Sequence, residues 1–291
     1  MSFNVLGIGE ILWDLLPSGK QLGGAPANFA FHARALGARS AVISRVGQDR
    51  PGTEILQRLQ SLGLPIDNIQ LDPTAPTGTV SVELSVDGQP RFTIHEDVAW
   101  DHLALEKTAL AAVAEADAVS FGTLAQRREP ARSTIQSLLA AASPGALRIL
   151  DINLRQHYFS REIIEKSLRS ANIVKFNDSE LPVLSELLGL RGNVREQIEQ
   201  LARQHAQRLV CLTRGAHGSL LFSEGQWAED PGKPVVVKDT VGAGDAFTAA
   251  LTLGVLAGKP LDAINRRANQ VGRYVCTCQG ATPQLPEFPD P

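Results

Sequence analysis

Asp239-Thr-Val-Gly-Ala-Gly-Asp245 is the stretch of this chain best suited to chemistry. Gly242 and Gly244 permit backbone dihedrals closed to other residues and a close approach by a ligand. The residues that follow, Ala246, Phe247, Ala249, Ala250, Leu251, Leu253, Val255 and Leu256, are apolar nearly all round and predict a buried helix. Its unpaired first amides would form an anion site that the glycines open to phosphate. Asp245 is the only ionisable side chain between Asp239 and Lys259. A carboxylate beside a phosphate site is electrostatically awkward unless it has a task there. Taking the proton of a hydroxyl that attacks the phosphate is such a task. An acid placed favourably in a helix's first turn is the bare alternative. The loop is not a Walker A loop, which needs Gly-x-x-x-x-Gly-Lys-Ser/Thr, and Phe247 occupies the place of a dinucleotide fingerprint's third glycine.

A second glycine cluster, Gly23-Gly24-Ala25-Pro26-Ala27-Asn28, runs straight into a helix ending at Gly37. Pro26 suits a first helical turn, and Asn28 and His32, spaced i and i+4, share a face. Taken alone, the cluster reads equally as a tight turn with Asn28 exposed or capping.

Elements able to position such loops alternate along the chain. Val5–Ile8, Ala41–Ser44, Ala118–Phe121, Ile149–Ile152, Ile173–Phe176 and Leu209–Leu212 read as buried strands. Helical patterns fill Ala27–Leu36, Thr53–Leu62, Leu105–Ala114, Ala131–Ala142, Arg161–Ser170, Leu181–Leu188, Val194–Gln204 and Leu261–Cys278. Alternation of this kind predicts a mostly parallel sheet covered on both faces, with ligands beyond the carboxyl ends of its strands. One region departs from it: Thr79 to Val86 alternates cleanly, Asp87-Gly88 signals a turn, and Arg91–Ile94 reads as a return strand. With Ile11–Leu16, this hairpin would form a small inserted sheet, a lid; an antiparallel extension of the main sheet is the alternative.

Composition narrows the function. The chain has 291 residues, 28 basic against 31 acidic, and a net charge of −3, which leaves no footprint for nucleic acid or an anionic membrane. No stretch reads as a membrane span or signal peptide, since Glu10 and Asp14 break the apolar run Val5–Leu16. Three cysteines cannot by themselves build a disulfide framework or a four-ligand zinc site, which suggests a reducing, cytoplasmic setting. Cys276-x-Cys278 reads as packing, and the six histidines show no metal spacing. Pro283–Pro291 reads as a terminal strap or frayed end.

The two glycine motifs together, with Gly37 and Gly47 downstream of the first, resemble both signatures of the ribokinase-like (PfkB) carbohydrate kinases. The resemblance runs from Gly7-Ile-Gly9-Glu10 to Gly280-Ala281. Ala99-Trp-Asp101, Asp151-Ile-Asn-Leu-Arg155 and Phe176-Asn-Asp-Ser-Glu180 make the sequence most similar to bacterial fructokinases. It implies an α/β three-layer sandwich with a mostly parallel central sheet, as one domain over residues 1–291, with lid strands from about 10–22 and 76–100.

It also implies transfer of the γ-phosphoryl group of ATP to a sugar hydroxyl, with D-fructose at its 6-hydroxyl as the leading substrate. Other ketose or keto-acid sugars, notably 2-keto-3-deoxygluconate, come next, then nucleosides; a catalytically silent sugar or nucleotide sensor is the non-enzyme alternative. By the same resemblance Asp245 is the general base, and the amides of Gly242, Ala243 and Gly244 form the anion hole. Asp14, Gly24 and Asn28 contact the sugar, Gly24 by leaving room for the ring. Trp100 either walls the sugar pocket or is a buried anchor. Arg155 is a candidate counter-charge for phosphate, sharing a side with Asn153 if their strand continues. Asn177 and Glu180 match an Asn-x-x-Glu motif that holds Mg²⁺ through water, or they simply begin a helix capped by Asp178 or Ser179. Thr213 and Gly215 fit a nucleotide-phosphate loop, and Asn269 an adenine contact. K⁺, a frequent activator in the family, would be held by backbone near Asp239 and Val241. A homodimer through the lid is compatible with an exposed sheet.

Overall fold

The computed structural model describes residues 2–16, 19–84 and 90–288. In chain order it begins β1 (Asn4–Ile8), β2 (Leu12–Leu16), β3 (Gly19–Gly23), α1 (Ala25–Ala35), β4 (Arg39–Gly47) and α2 (Arg50–Ser61). Next come β5 (Ile69–Asp72), β6 (Gly78–Leu84), β7 (Pro90–Ile94), α3 (Lys107–Ala114), β8 (Ala118–Gly122) and α4 (Ala131–Ala141). The chain continues through β9 (Leu147–Asp151), α5 (Arg161–Ser170), β10 (Ile173–Asn177), α6 (Leu181–Leu188), α7 (Val194–Gln204) and β11 (Leu209–Thr213). It closes with β12 (Ser219–Ser223), β13 (Gln226–Asp230), α8 (Ala243–Leu256) and α9 (Leu261–Cys276).

Among the described residues, the main sheet has the order β13-β12-β11-β10-β9-β8-β1-β4-β5. Every pairing from β11 to β5 is parallel where its register is defined, and β12 and β13 add an antiparallel edge. Strands with period-2 side chains and helices on both sides must bury both faces. β11 shows this directly: Val210 and Leu212 enter a core shared with α3 to α7, while Leu209 and Cys211 enter another with α1, α8 and α9. Local signals set the helix ends. Asp49 accepts the amide of Gly52 at 2.8 Å to start α2, Asn193 and Glu196 form a reciprocal capping box on α7, and Gly189 at φ 71° ends α6.

The regions with strong periodicity lie where the sequence predicts. α5, α6 and α7 have the expected boundaries, and α9 stops at Cys276, two residues short of Cys278. The hairpin is not an extension of the main sheet. It forms a second sheet, β3-β2-β6-β7, in which β2 runs parallel to β6. Val86 and the Asp87-Gly88 turn lie outside the described residues. Leu12, Val80 and Ile94 turn inward to the main core, and Leu15 and Phe92 remain exposed. The terminal segment docks as a strap as far as Phe288, whose ring meets Tyr274 edge-on at 5.8 Å.

Candidate active site

The carboxyl ends of β1, β9, β10 and β11 open into a cleft of about 770 Å³, roofed by the inner face of the small sheet. Asp14, Gly24, Asn28, Asn153, Arg155, Asn177, Thr213, Gly215, Val241, Gly242, Ala243, Gly244, Asp245 and Asn269 all line it. The two glycine motifs, far apart in sequence, therefore meet. They meet through one bond: Asn28 Nδ2 donates to Asp245 Oδ2 at 2.8 Å, across 217 residues. Asn28 is neither exposed nor a cap; it is buried, and its Oδ1 has no partner among the described residues.

α8 begins at Gly242, whose φ of 78° is left-handed and whose pro-Cβ position abuts the backbone of Ala281. Of the first amides, that of Ala243 is engaged by the carbonyl of Thr240 at 3.3 Å, while among the described residues none engages Gly242, Gly244 or Asp245. The anion hole read from the sequence thus shifts: Gly242 and Gly244 offer free donors, and Ala243 is partly spent within the loop. Burial and the repulsion of Asp151 raise the Asp245 carboxyl to about 6, against the pull of the Asn28 bond and of Lys175.

Asp14, on β2, is raised to about 6 by burial, with Arg155 drawing it down. Gly24 owes its identity to the backbone as well as to the cleft: at φ 113°, a Cβ would lie 2.5 Å from the carbonyl oxygen of Glu10. β9 ends at Asp151, so Asn153 and Arg155 sit in a loop, Asn153 with φ 45°, and do not share a strand face.

At the other end, Asn177 Oδ1 accepts the hydroxyl of Ser179 at 2.7 Å and the amide of Glu180 at 2.9 Å. Glu180 stands behind the cleft wall: one carboxylate oxygen accepts the amide of Leu154 and the other that of Asn177, each at 2.8 Å. Glu180 is itself the residue flanking α6, which carries no side-chain cap from Asp178 or Ser179. Asn269 Nδ2 donates to Ser219 Oγ at 2.6 Å. Asp239 does not line the cleft; its carboxylate accepts the amides of Val241 and Gly280, each at 3.0 Å, and joins their two loops.

Trp100 is corrected to an anchor. It is 1% exposed, lies outside the cleft, packs against Gly78, and carries the Arg127 guanidinium 4.0 Å above its ring. Cys276, expected as packing, lines the cleft. Three lining residues, Glu10, Asp151 and Lys175, have no role assigned in the sequence reading. Lys175 Nζ is paired with Asp151 at 2.9 and 3.1 Å, and Thr248 of α8 donates to Asp151 at 3.0 Å. Burial pulls the Lys175 ammonium down, but Asp151 outweighs it and holds the lysine above its usual range. Glu10, just after β1, is raised to about 7 by burial, offset by the amides of Glu10 and Ala25 and reinforced by the Asp245 charge. A lysine inside an apolar strand, and acids at the ends of strands, were the available signals.

A mostly parallel sheet, a separate four-stranded sheet over its carboxyl edge, and an acid at a glycine-rich helix start define a small-molecule phosphotransferase architecture. The chain belongs to the pfkB family of carbohydrate kinases, whose model matches residues 18–287. It is a sugar kinase. Escherichia coli fructokinase is 31% identical, with 98% of this chain and 97% of that protein aligned. A Pyrococcus horikoshii sugar kinase solved in complex with ATP superimposes with a TM-score of 0.80 at 30% identity, covering 96% of this chain and 94% of the other. A double-mutant Vibrio cholerae fructokinase, bound to fructose, ADP and potassium ion, gives 0.81 at 27% identity, covering 98% and 96%. Among the described residues, no helix is long and apolar enough to cross a membrane.

Proposed function

We propose that the protein transfers the γ-phosphoryl group of ATP to D-fructose, giving fructose 6-phosphate. The observation that carries the phosphoryl-transfer reading is the 2.8 Å bond from Asn28 to Asp245, which sets the acid of one glycine motif beside the polar residues of the other, and likeness to fructokinases supports fructose as the acceptor. Asp245 takes the proton of the attacking hydroxyl as the phosphoryl group arrives. The free amides of Gly242 and Gly244 meet the charge that develops on the transferred group. Asp14 and Asn28 hold sugar hydroxyls, and the inner face of the small sheet excludes water. Arg155 at the rim counters phosphate charge. The β10–β11 end, with Thr213, Gly215 and Asn269, takes the nucleotide.

Mg²⁺ fits here only through water and phosphate: no group of three or more His, Cys, Asp or Glu side chains among the described residues could hold a metal. Asn177 supplies an oxygen at the cleft and Glu180 a buried negative charge behind it, a hard-oxygen environment suited to hydrated magnesium. When bound, it neutralises phosphate charge. K⁺ would rest on backbone carbonyls of the Asp239–Val241 loop, whose Asp239 carboxylate supplies negative potential.

A neutral sugar fits better than a sugar acid. Glu10, Asp14 and Asp245 face the same end of the cleft, with Arg155 as the cation that acts on all three. The test is ADP release over a panel of fructose, other hexoses, ribose, 2-keto-3-deoxygluconate and nucleosides. Fructose should give the highest kcat/KM. Preferred turnover of the keto-acid would overturn the fructose assignment, and sugar or ATP binding without any turnover would point to a sensor.

A further inference from the structure

Glu10 has no task in the reaction as described, yet its position is unusual. It follows β1, at the carboxyl end of a central parallel strand, and is 3% exposed while lining the cleft. Its Oε2 has no hydrogen-bond partner among the described residues. Asn28 Oδ1, buried at the same end of the cleft, is a second acceptor without a partner. Buried acceptors left unmet are costly, and two of them on residues that line one cavity call for a ligand that brings donors.

Resting on the sugar-kinase reading above, we propose that Glu10 is a sugar-binding residue whose carboxylate accepts a substrate hydroxyl, so that sugar binding, and not nucleotide binding, depends on its ionisation. The backbone around it leaves little freedom. Gly24 packs onto the Glu10 carbonyl, and Ser44 Oγ donates to the carbonyl of the preceding Gly9 at 2.6 Å. The carboxyl itself is buried and held by the amides of Glu10 and Ala25, so it is kept out of bulk solvent at the cleft wall. The charged groups acting on it are Asp245 from α8, which opposes ionisation, and Arg155 from the loop after β9, which favours it. From α1 come the amide of Ala25, which favours the charged form, and the neutral Asn28. Asp14 on β2 also lines this end, and beyond Asp245 lies Asp151 of β9, which is paired with Lys175 of β10.

The sign follows from linkage. A hydroxyl donated to the carboxylate binds the ionised form, so sugar affinity falls as pH falls through the Glu10 value of about 7. Asp14 and Asp245 sit near 6, so each adds at most about 1.3-fold between pH 8 and 6.5, less than Glu10 itself. Between pH 8 and 6.5 the sugar Kd of the wild-type protein should rise about fourfold.

The experiment titrates D-fructose, or whichever panel sugar the wild type turns over fastest, into wild type, Glu10→Gln and Glu10→Ala by calorimetry. A non-hydrolysable ATP analogue with Mg²⁺ is titrated in parallel. Loss of a hydrogen bond to a charged acceptor should weaken sugar binding at least about tenfold in Glu10→Ala, with nucleotide Kd within twofold. In the isosteric Glu10→Gln the fourfold pH dependence should fall below twofold. Sugar affinity within twofold of wild type in Glu10→Ala, an undiminished slope in Glu10→Gln, or equal loss of sugar and nucleotide binding in both variants would each overturn the proposal. A wild type that phosphorylates no sugar refutes the parent reading instead, and that assay is run first.

Discussion

Replacing Asn28 with alanine isolates the bond that joins the two motifs. Asn28 Nδ2 donates to Asp245 Oδ2 at 2.8 Å, and the bond favours the carboxylate. A hydrogen bond to a charged group contributes about 1.5–3 kcal/mol. At 1.36 kcal/mol per unit, its loss raises the Asp245 pKa by about 1–2 units. The starting value is about 6, so the variant should titrate between about 7 and 8. At pH 7 the ionised fraction then falls from about 0.9 to between about 0.5 and 0.1, and kcat falls about two- to tenfold. At pH 9 most of the deficit should vanish. The assay is kcat against pH at saturating sugar and MgATP, where a change confined to sugar affinity, such as that proposed for Glu10, drops out. An acid limb that stays within about 0.3 units of wild type, or a deficit that persists at pH 9, refutes the link between this bond and the ionisation of the base.

Three further outcomes follow from the buried charges and the helix start. Glu10 binds its proton more tightly folded, at about 7, than its ordinary 4.5, so its stabilising contribution is complete below the ordinary value and is lost as pH rises through 7. Glu10→Gln should therefore stabilise the protein by up to about 3 kcal/mol at pH 8 and little at pH 4.5, read by urea denaturation; equal effects at both pH values would contradict this. Lys175→Met strands Asp151 and should cost about 3–5 kcal/mol, partly recovered by adding Asp151→Asn, and a double variant no better than the single would show that the pair is not the cause. Gly242→Ala forces a Cβ against Ala281 at a left-handed φ, so both thermal stability and turnover should drop, and a crystal structure with an unmoved loop would disprove the clash.

The sequence made the body of the fold legible because its strongest signals are those of burial. β1, β8, β9, β10 and β11 are short apolar runs because both sheet faces are covered, and α5 to α7 keep their periodicity because one side of each faces a core. β5, β12 and β13 are not legible as strands, and β3 is covered only by the coarse lid bounds of about 10–22. All four lie at or beside sheet edges, and polar residues interrupt the first three: Gln70 and Asp72 in β5, Ser219 and Ser223 in β12, and Gln226, Glu229 and Asp230 in β13. The site was legible as motifs but not as contacts. Spacing placed Asn28 on a helix face, but nothing in it could say that the face meets Asp245, since that depends on α1 packing against α8. Trp100 has the same side chain whether it walls a pocket or anchors a core; only the partner, the Arg127 guanidinium, decides. Glu10 stood within a motif already in view, but its orphaned oxygen belongs to the tertiary structure.

The union of α1 and α8 also sets a timetable. Asn28 leaves the ribosome 217 residues ahead of the aspartate it must hold, an interval of roughly 10–40 s at 5–20 residues per second. His32, one turn on, waits longer still for the carbonyl of Ala281, which it meets at 2.9 Å. Through that interval the first helix, packed on β1 and β4, has a polar face aimed at nothing, beside a sheet whose far strands are still being made. A nascent chain therefore has no catalytic constellation, and one released before Ala281 should be inert and in need of shelter.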